Sequence, residues 1–187
     1  MNRAQILESA AQIFRMKGYH AASMQDIAVA VNLKKPSLYH HFPSKQGILL
    51  ALLDQALDRL IERLSPIFLQ KKPADEKLIE AMRAYLGSLD EYADLAAVLL
   101  LEHRSLDPEN HQHHIPRRDR FEQLWRDLIH EGMESGVFRP ADPSMTARAL
   151  LGVMNWTITW YRPNGKYSMD VISDHFANLF LDGLRVG

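Results

Sequence analysis

The chain has 187 residues, 47% of them hydrophobic, a net charge of -1 and no cysteine. That length and composition bury a core without staples, and the missing cysteines exclude disulfides, thiol nucleophiles and Cys-based zinc sites, as suits a reducing, cytoplasmic setting. No charged-then-apolar leader opens the sequence, and the longest apolar run, near Ala93 to Leu101, carries Asp94 and stops at Glu102, so a soluble protein is expected, with no part in a membrane.

The charge is unevenly placed. Residues 1–47 hold six basic side chains (Arg3, Arg15, Lys17, Lys34, Lys35, Lys45) against Glu8 and Asp26, a balance of +4 that leaves -5 for the rest. A basic head on an acidic body is the pattern of a chain whose N-terminal part alone meets a polyanion.

In chain order the elements read as helices. Ile6, Leu7, Ala10, Ile13 and Phe14 recur at three- and four-residue spacing from Ala4 to Met16, and Gly18 supplies the stop. Ser23, three residues before Asp26, predicts a capping box for a short second helix that buries Met24, Ile27, Ala28 and Val31. A third helix is expected from about Lys35 to Phe42, with Pro36 harmless in its first turn and Leu38 and Phe42 facing inward. Pro43-Ser44 then breaks and recaps the chain, and the pattern from Ile48 to Leu64 predicts a long fourth helix ending at Pro66. Further helices are expected near Ala74 to Tyr92, Leu95 to Leu106, Arg117 to Ser135, Pro143 to Tyr161 and Ser168 to Leu184, between Pro and Gly breakers such as Asp107-Pro108 and Gly136. No alternating strand pattern, fixed-period repeat or low-complexity tract is found, so the fold class is all-α.

Two short helices joined by a tight turn, the second displaying polar side chains, form a helix-turn-helix whose second helix enters the DNA major groove. That second helix lies in KKPSLYHHFPSK. With Leu38 and Phe42 inward, Lys35, Ser37, Tyr39 and His40 fall on or beside the outward face, as donors to base edges and phosphates and a ring for the sugar-phosphate backbone. Lys45 follows at the start of the next helix, where free N–H groups favour a phosphate.

The order ILESAAQIFRMKGYHAASMQDIAVAVNLKKPSLYHHFPSKQGILLALL resembles the N-terminal DNA-binding domain of TetR-family transcriptional regulators, roughly over residues 4–53 without a gap; GYHAASMQDIA and SLYHHFPSKQGIL are its diagnostic pieces. The resemblance implies a three-helix head (residues 1–47) on a helical ligand-binding and dimerisation body (48–187), dimerisation through the last two helices, and release from DNA when a small molecule occupies the body. It also implies DNA-facing roles for Ser23, Gln25, Lys35, Ser37, Tyr39, His40 and Lys45. One departure is visible: the family usually places a small hydroxyl residue where Lys34 stands, which weakens the cap of the recognition helix and adds a possible phosphate contact.

In the body, LLGVMNWTITWYRPNGKYS puts Trp156 and Trp160 at i, i+4 beside Asn155, a spacing that on its own suits core or subunit interface. The segment, with the chain around it from about 150 to 184, resembles the TetR-family repressors of fatty-acid and steroid degradation that respond to acyl-coenzyme A thioesters. That resemblance implies an effector with an apolar tail and an anionic head. Candidate tail contacts are Met82, Tyr85, Leu86, Leu89, Leu99, Leu124, Leu128, Met154 and Trp156, and candidate phosphate contacts are Arg104 and Arg120, with Arg117 and Arg118 in the same stretch. For dimerisation, Leu150, Met154, Phe176, Leu179, Phe180 and Leu184 recur at helical spacing and carry more apolar surface than a small body covers.

His111, His113 and His114 lie in a Pro-flanked polar stretch without the i, i+4 spacing of a zinc pair, so no metal is expected. No G-x-S-x-G elbow, phosphate-binding glycine loop or HExxH occurs, so neither a cofactor nor an enzyme activity is expected. The expectation is a ligand-responsive, homodimeric repressor that binds double-stranded operator DNA. The rivals are a helical enzyme and a ligand-binding module, either acting on acyl thioesters without DNA.

Overall fold

The computed structural model describes residues 2–185. Nine α-helices account for most of them: α1 (Arg3–Lys17), α2 (Met24–Ala30), α3 (Lys35–His41), α4 (Lys45–Phe68), α5 (Ala74–Glu91), α6 (Ala93–Leu101), α7 (Pro108–Glu134), α8 (Pro143–Trp160) and α9 (Met169–Leu184). A single 3-10 turn, His103–Ser105, follows α6, and an isolated bridge between Phe138 and Arg185 is the extended pairing among the described residues. The chain divides into two compact units, residues 2–58 with 92–117 and residues 59–91 with 118–185.

The ends of the first helices follow from local chemistry. Asn2 accepts from the Gln5 N–H at 2.9 Å while the Gln5 side chain accepts from the Asn2 N–H at 2.9 Å, a capping box that starts α1. Gly18 closes it at φ 78°, a conformation that costs glycine nothing, and its N–H donates to the Phe14 carbonyl at 2.8 Å. The predicted stripe Ile6, Leu7, Ala10, Ile13 and Phe14 is buried, as are Met24, Ile27 and Ala28 of α2. Ser44 accepts from the Gly47 N–H at 2.9 Å and so caps α4.

The stretch from 107 to 116, expected as a linker, is instead the first part of α7. Asp107 Oδ1 accepts from the Asn110 N–H at 2.8 Å, so Asp107-Pro108 is a cap followed by a first-turn proline rather than a break. Pro116 lies inside α7, on an exposed side. Tertiary contacts hold this part of the helix. His114, only 5% exposed, sets Nδ1 2.8 Å from Asp54 Oδ1 of α4. Arg117 donates to Asp54 at 2.7 Å and to Asp58 at 2.8 Å. Pro66 similarly sits within α4, which runs on to Phe68, and α6 is shorter than its hydropathy suggested because the chain tightens into the 3-10 turn.

In the second unit α5 packs along α9 and touches α8. Arg83 donates to Asp174 at 2.6 Å, and the buried Lys77 amine reaches both Glu131 oxygens at 2.6 Å and the Phe68 carbonyl at 3.2 Å. A buried ammonium needs such a full set of partners. Trp125, Tyr85, Phe121 and Phe68 form an aromatic cluster with ring centroids 5.5 to 6.5 Å apart, and the Tyr85 hydroxyl donates to Asn155 Oδ1. Burial pushes the Tyr85 phenol above its usual range.

Candidate nucleic-acid interface

The site is built on α3. Leu38 and Phe42 are at most 1% exposed, which fixes the helix by its inner face. Lys35, Tyr39 and His40 consequently stand in solvent, with Ser37 half-buried beside them. The Lys35 amine lies 6.0 Å from the centre of the Tyr39 ring. Lys34 makes no side-chain cap, as its departure from a hydroxyl residue predicts. Gln25 is exposed on α2. The exposed side chains of α3 and α2 therefore include an amine, a phenol, an imidazole and an amide.

Ser23 and Lys45 are more committed. The Ser23 hydroxyl accepts from the Asp26 N–H at 3.1 Å and donates to Asp26 Oδ2 at 2.6 Å, completing the predicted box. Lys17 donates to the other Asp26 oxygen at 2.8 Å, and that bond together with the Ser23 bonds holds the Asp26 carboxyl well below the usual carboxylate range. The Lys45 amine points at the α1–α2 turn, donating to the carbonyls of Ala22 at 2.7 Å, Tyr19 at 2.8 Å and His20 at 3.4 Å, and it lies 4.3 Å from the centre of the Tyr19 ring. An ammonium has three hydrogens, and this turn takes them.

Three features of this unit were not legible in the sequence. Arg3 stacks its guanidinium 4.2 Å from the centre of the Phe42 ring and donates to the His41 carbonyl at 3.5 Å, adding a cation next to α3. Glu102 accepts from the Tyr19 N–H at 3.1 Å, and Arg15 pairs with Asp94 at 2.8 Å. Gln46 donates to the Ser105 carbonyl at 2.8 Å and accepts from the Asp107 N–H at 3.1 Å. The 94–107 segment is thus tied to the turn that Lys45 clamps. These partners lie about sixty to eighty residues apart, and no local motif announces them.

The body candidates divide. Met82, Tyr85, Leu86, Leu89, Leu128 and Met154 are buried within the second unit, with Leu124 half-buried. Leu99 and Arg104 belong to the first unit. Arg104, Arg118 and Arg120 are exposed, whereas Arg117 is occupied by Asp54 and Asp58. Trp156 is 67% exposed, not part of the buried set. Among the residues expected at a dimer face, Leu150, Met154 and Leu184 are buried in the second unit's own core, Phe176 and Phe180 are half-buried and Leu179 is 59% exposed. Met145, Val153, Trp160 and Val171 are further exposed apolar side chains on α8 and α9. No group of three or more metal-ligating side chains occurs among the described residues.

An all-helical chain that starts with a helix-turn-helix and continues into a helical body is a DNA-binding regulator by architecture. Comparison with known families makes this specific: residues 6–52 match the family described as bacterial regulatory proteins, tetR family, and residues 71–184 match the tetracyclin repressor-like C-terminal domain. The chain belongs to the TetR family of transcriptional regulators. Relatives include the HTH-type transcriptional repressor KstR2 of Mycobacterium tuberculosis, 27% identical over 97% of this chain and 92% of the relative, and the fatty acid metabolism regulator protein of Bacillus subtilis, 25% identical over 97% and 94%. Among solved structures, the TetR-family regulator PfmR from Thermus thermophilus is 37% identical and superimposes with a TM-score of 0.88 over 97% of this chain and all of that one. AibR, solved in complex with isovaleryl coenzyme A and operator DNA, is 26% identical with a TM-score of 0.88 over 95% and 96%.

Proposed function

We propose that the chain is a dimeric repressor that grips operator DNA through residues 1–47 and lets go when an acyl-coenzyme A thioester occupies residues 48–187. The observation that carries the DNA half is the outer face of α3, where Lys35, Ser37, Tyr39 and His40 stand over buried Leu38 and Phe42 on a head of charge +4. Lys35 and Tyr39 hold the backbone, and Gln25, Ser37 and His40 meet base edges. Ser23 and Lys45 act through the turn between α1 and α2 that they hold, and each is poised to meet a phosphate only by exchanging its present partner.

The effector half draws support from relatives. KstR2 is named a repressor, the Bacillus protein a regulator of fatty acid metabolism, and AibR is solved with an acyl-CoA. In this chain Met82, Tyr85, Leu86, Leu89, Leu124, Leu128 and Met154 of the second unit are the side chains for an acyl tail, and exposed Arg120 suits the phosphates. Dimerisation uses the exposed apolar surface of α8 and α9, since Met145, Trp156 and Leu179 are each more than half exposed in the single chain.

The test of the DNA half is binding to the promoter fragment of the protein's own gene across a salt series. The expected result is sequence-preferring binding whose affinity falls steeply with salt. Equal, weak binding to all fragments, or turnover of acyl thioesters by the purified protein, contradicts the reading and favours the rivals that act without DNA.

A further inference from the structure

We propose that the indole N–H of Trp125 is the donor that reads the thioester carbonyl of the effector, a role that rests on the acyl-thioester reading above. Trp125 is fully buried, and its Nε1 has no hydrogen-bond partner. A buried indole N–H is normally satisfied, so an orphan in a well-packed core points to a partner that arrives.

The surroundings define that partner. The side chains of Phe68 and Phe121 offer rings and no acceptor, and the Tyr85 hydroxyl is already given to Asn155. The cation of this unit that is buried, Lys77, has both Glu131 oxygens and the Phe68 carbonyl. A carboxylate brought to Trp125 would find the buried Lys77 already committed, whereas a neutral carbonyl on an otherwise apolar ligand needs one N–H and no cation. An acyl thioester fits this description and a free fatty acid does not. The competing explanation is internal: Gln70 Oε1 is a second buried orphan, an acceptor two residues beyond Phe68, and a side-chain rotation that joined it to Trp125 would satisfy both.

Three tryptophans make the experiment tractable, because Trp156→Phe and Trp160→Phe variants assign the three indole signals in the 15N-labelled protein. The probes are a saturated acyl-CoA and its thioether analogue, in which a methylene replaces the carbonyl. The thioester should move the Trp125 indole proton downfield and the thioether should not. Trp125→Phe should weaken the thioester roughly three- to tenfold, to the level of the thioether, and leave thioether affinity unchanged. Equal shifts from both ligands, equal weakening of both by Trp125→Phe, or a Gln70→Ala variant that moves the Trp125 signal without ligand would overturn the assignment while leaving the acyl-CoA reading intact. If neither compound binds, both fall together. The NMR arm uses the unaltered core, so it decides the matter even where Trp125→Phe does not fold.

Discussion

Lys35 and Lys45 carry the same charge within one short stretch, yet the structure gives them different work. Lys35 is exposed on the outer face of α3, the face proposed for DNA, so Lys35→Ala should weaken binding to all sequences alike and make the salt slope shallower by roughly one unit. Lys45 is bound to the carbonyls of Tyr19, His20 and Ala22. Lys45→Met should therefore lower folding stability by about 1 to 2 kcal/mol in urea titrations and weaken DNA binding with the salt slope unchanged. A shallower slope at unchanged stability would make Lys45 a phosphate contact instead. Ser23→Ala should cost about 1 kcal/mol through its lost cap. Asp26 contributes in a pH-dependent way: because its folded carboxyl titrates below the usual range, its contribution is complete above the ordinary aspartate value near pH ~4 and is lost as pH falls through the depressed value. Asp26→Asn should flatten the acid side of the stability profile, and an unchanged acid limb would deny Lys17 and Ser23 that role.

At the scale of elements, α7 shows two effects of opposite sign at Gly132. Alanine is the better helix former by about 1 kcal/mol, but a β-carbon there overlaps the buried ring of Phe138. Overpacking costs roughly 1 to 3 kcal/mol, so Gly132→Ala should lower the melting temperature, and a rise would show that Phe138 moves aside freely. The same helix marks where sequence reasoning stops. The stripes of α1, α2 and α3 were legible because their burial follows a 3.6-residue period and their caps are local: Ser23 with Asp26, Gly18 after Lys17. The first turns of α7 were not, since Asp107-Pro108 reads equally as breaker or as cap. The choice is made by Asp54 and Asp58, more than fifty residues away, gripping His114 and Arg117. The partners of Lys45 were hidden for a related reason, because they are backbone carbonyls, which carry no sequence signature. The apolar spacing of α8 and α9 identified buried and exposed side chains together and did not separate them: Leu150 and Leu184 turned inward, Leu179 outward.

For the whole molecule, the exposed apolar side chains of α8 and α9 set the expectation for assembly. Leu179→Asp, at an exposed position, should give a folded monomer with poor operator affinity, while a tight Leu179→Asp dimer would place the interface elsewhere. In such a dimer each head is expected to read one half of a near-palindromic operator, with α3 and its symmetry mate one DNA turn apart, about 34 to 36 Å. An effector releases DNA only if it prefers a conformation that breaks this spacing, because equal affinity for both states shifts nothing. The most direct measurement is therefore a titration of acyl-CoAs of increasing chain length into the protein–operator complex, with free CoA and the matching fatty acids as controls. Release is expected from the thioesters alone, with potency rising about fourfold per added methylene, the equivalent of roughly 0.8 kcal/mol each, until the tail fills its site. An operator complex that every thioester leaves intact, with no rise in melting temperature beyond that given by free CoA, would contradict it.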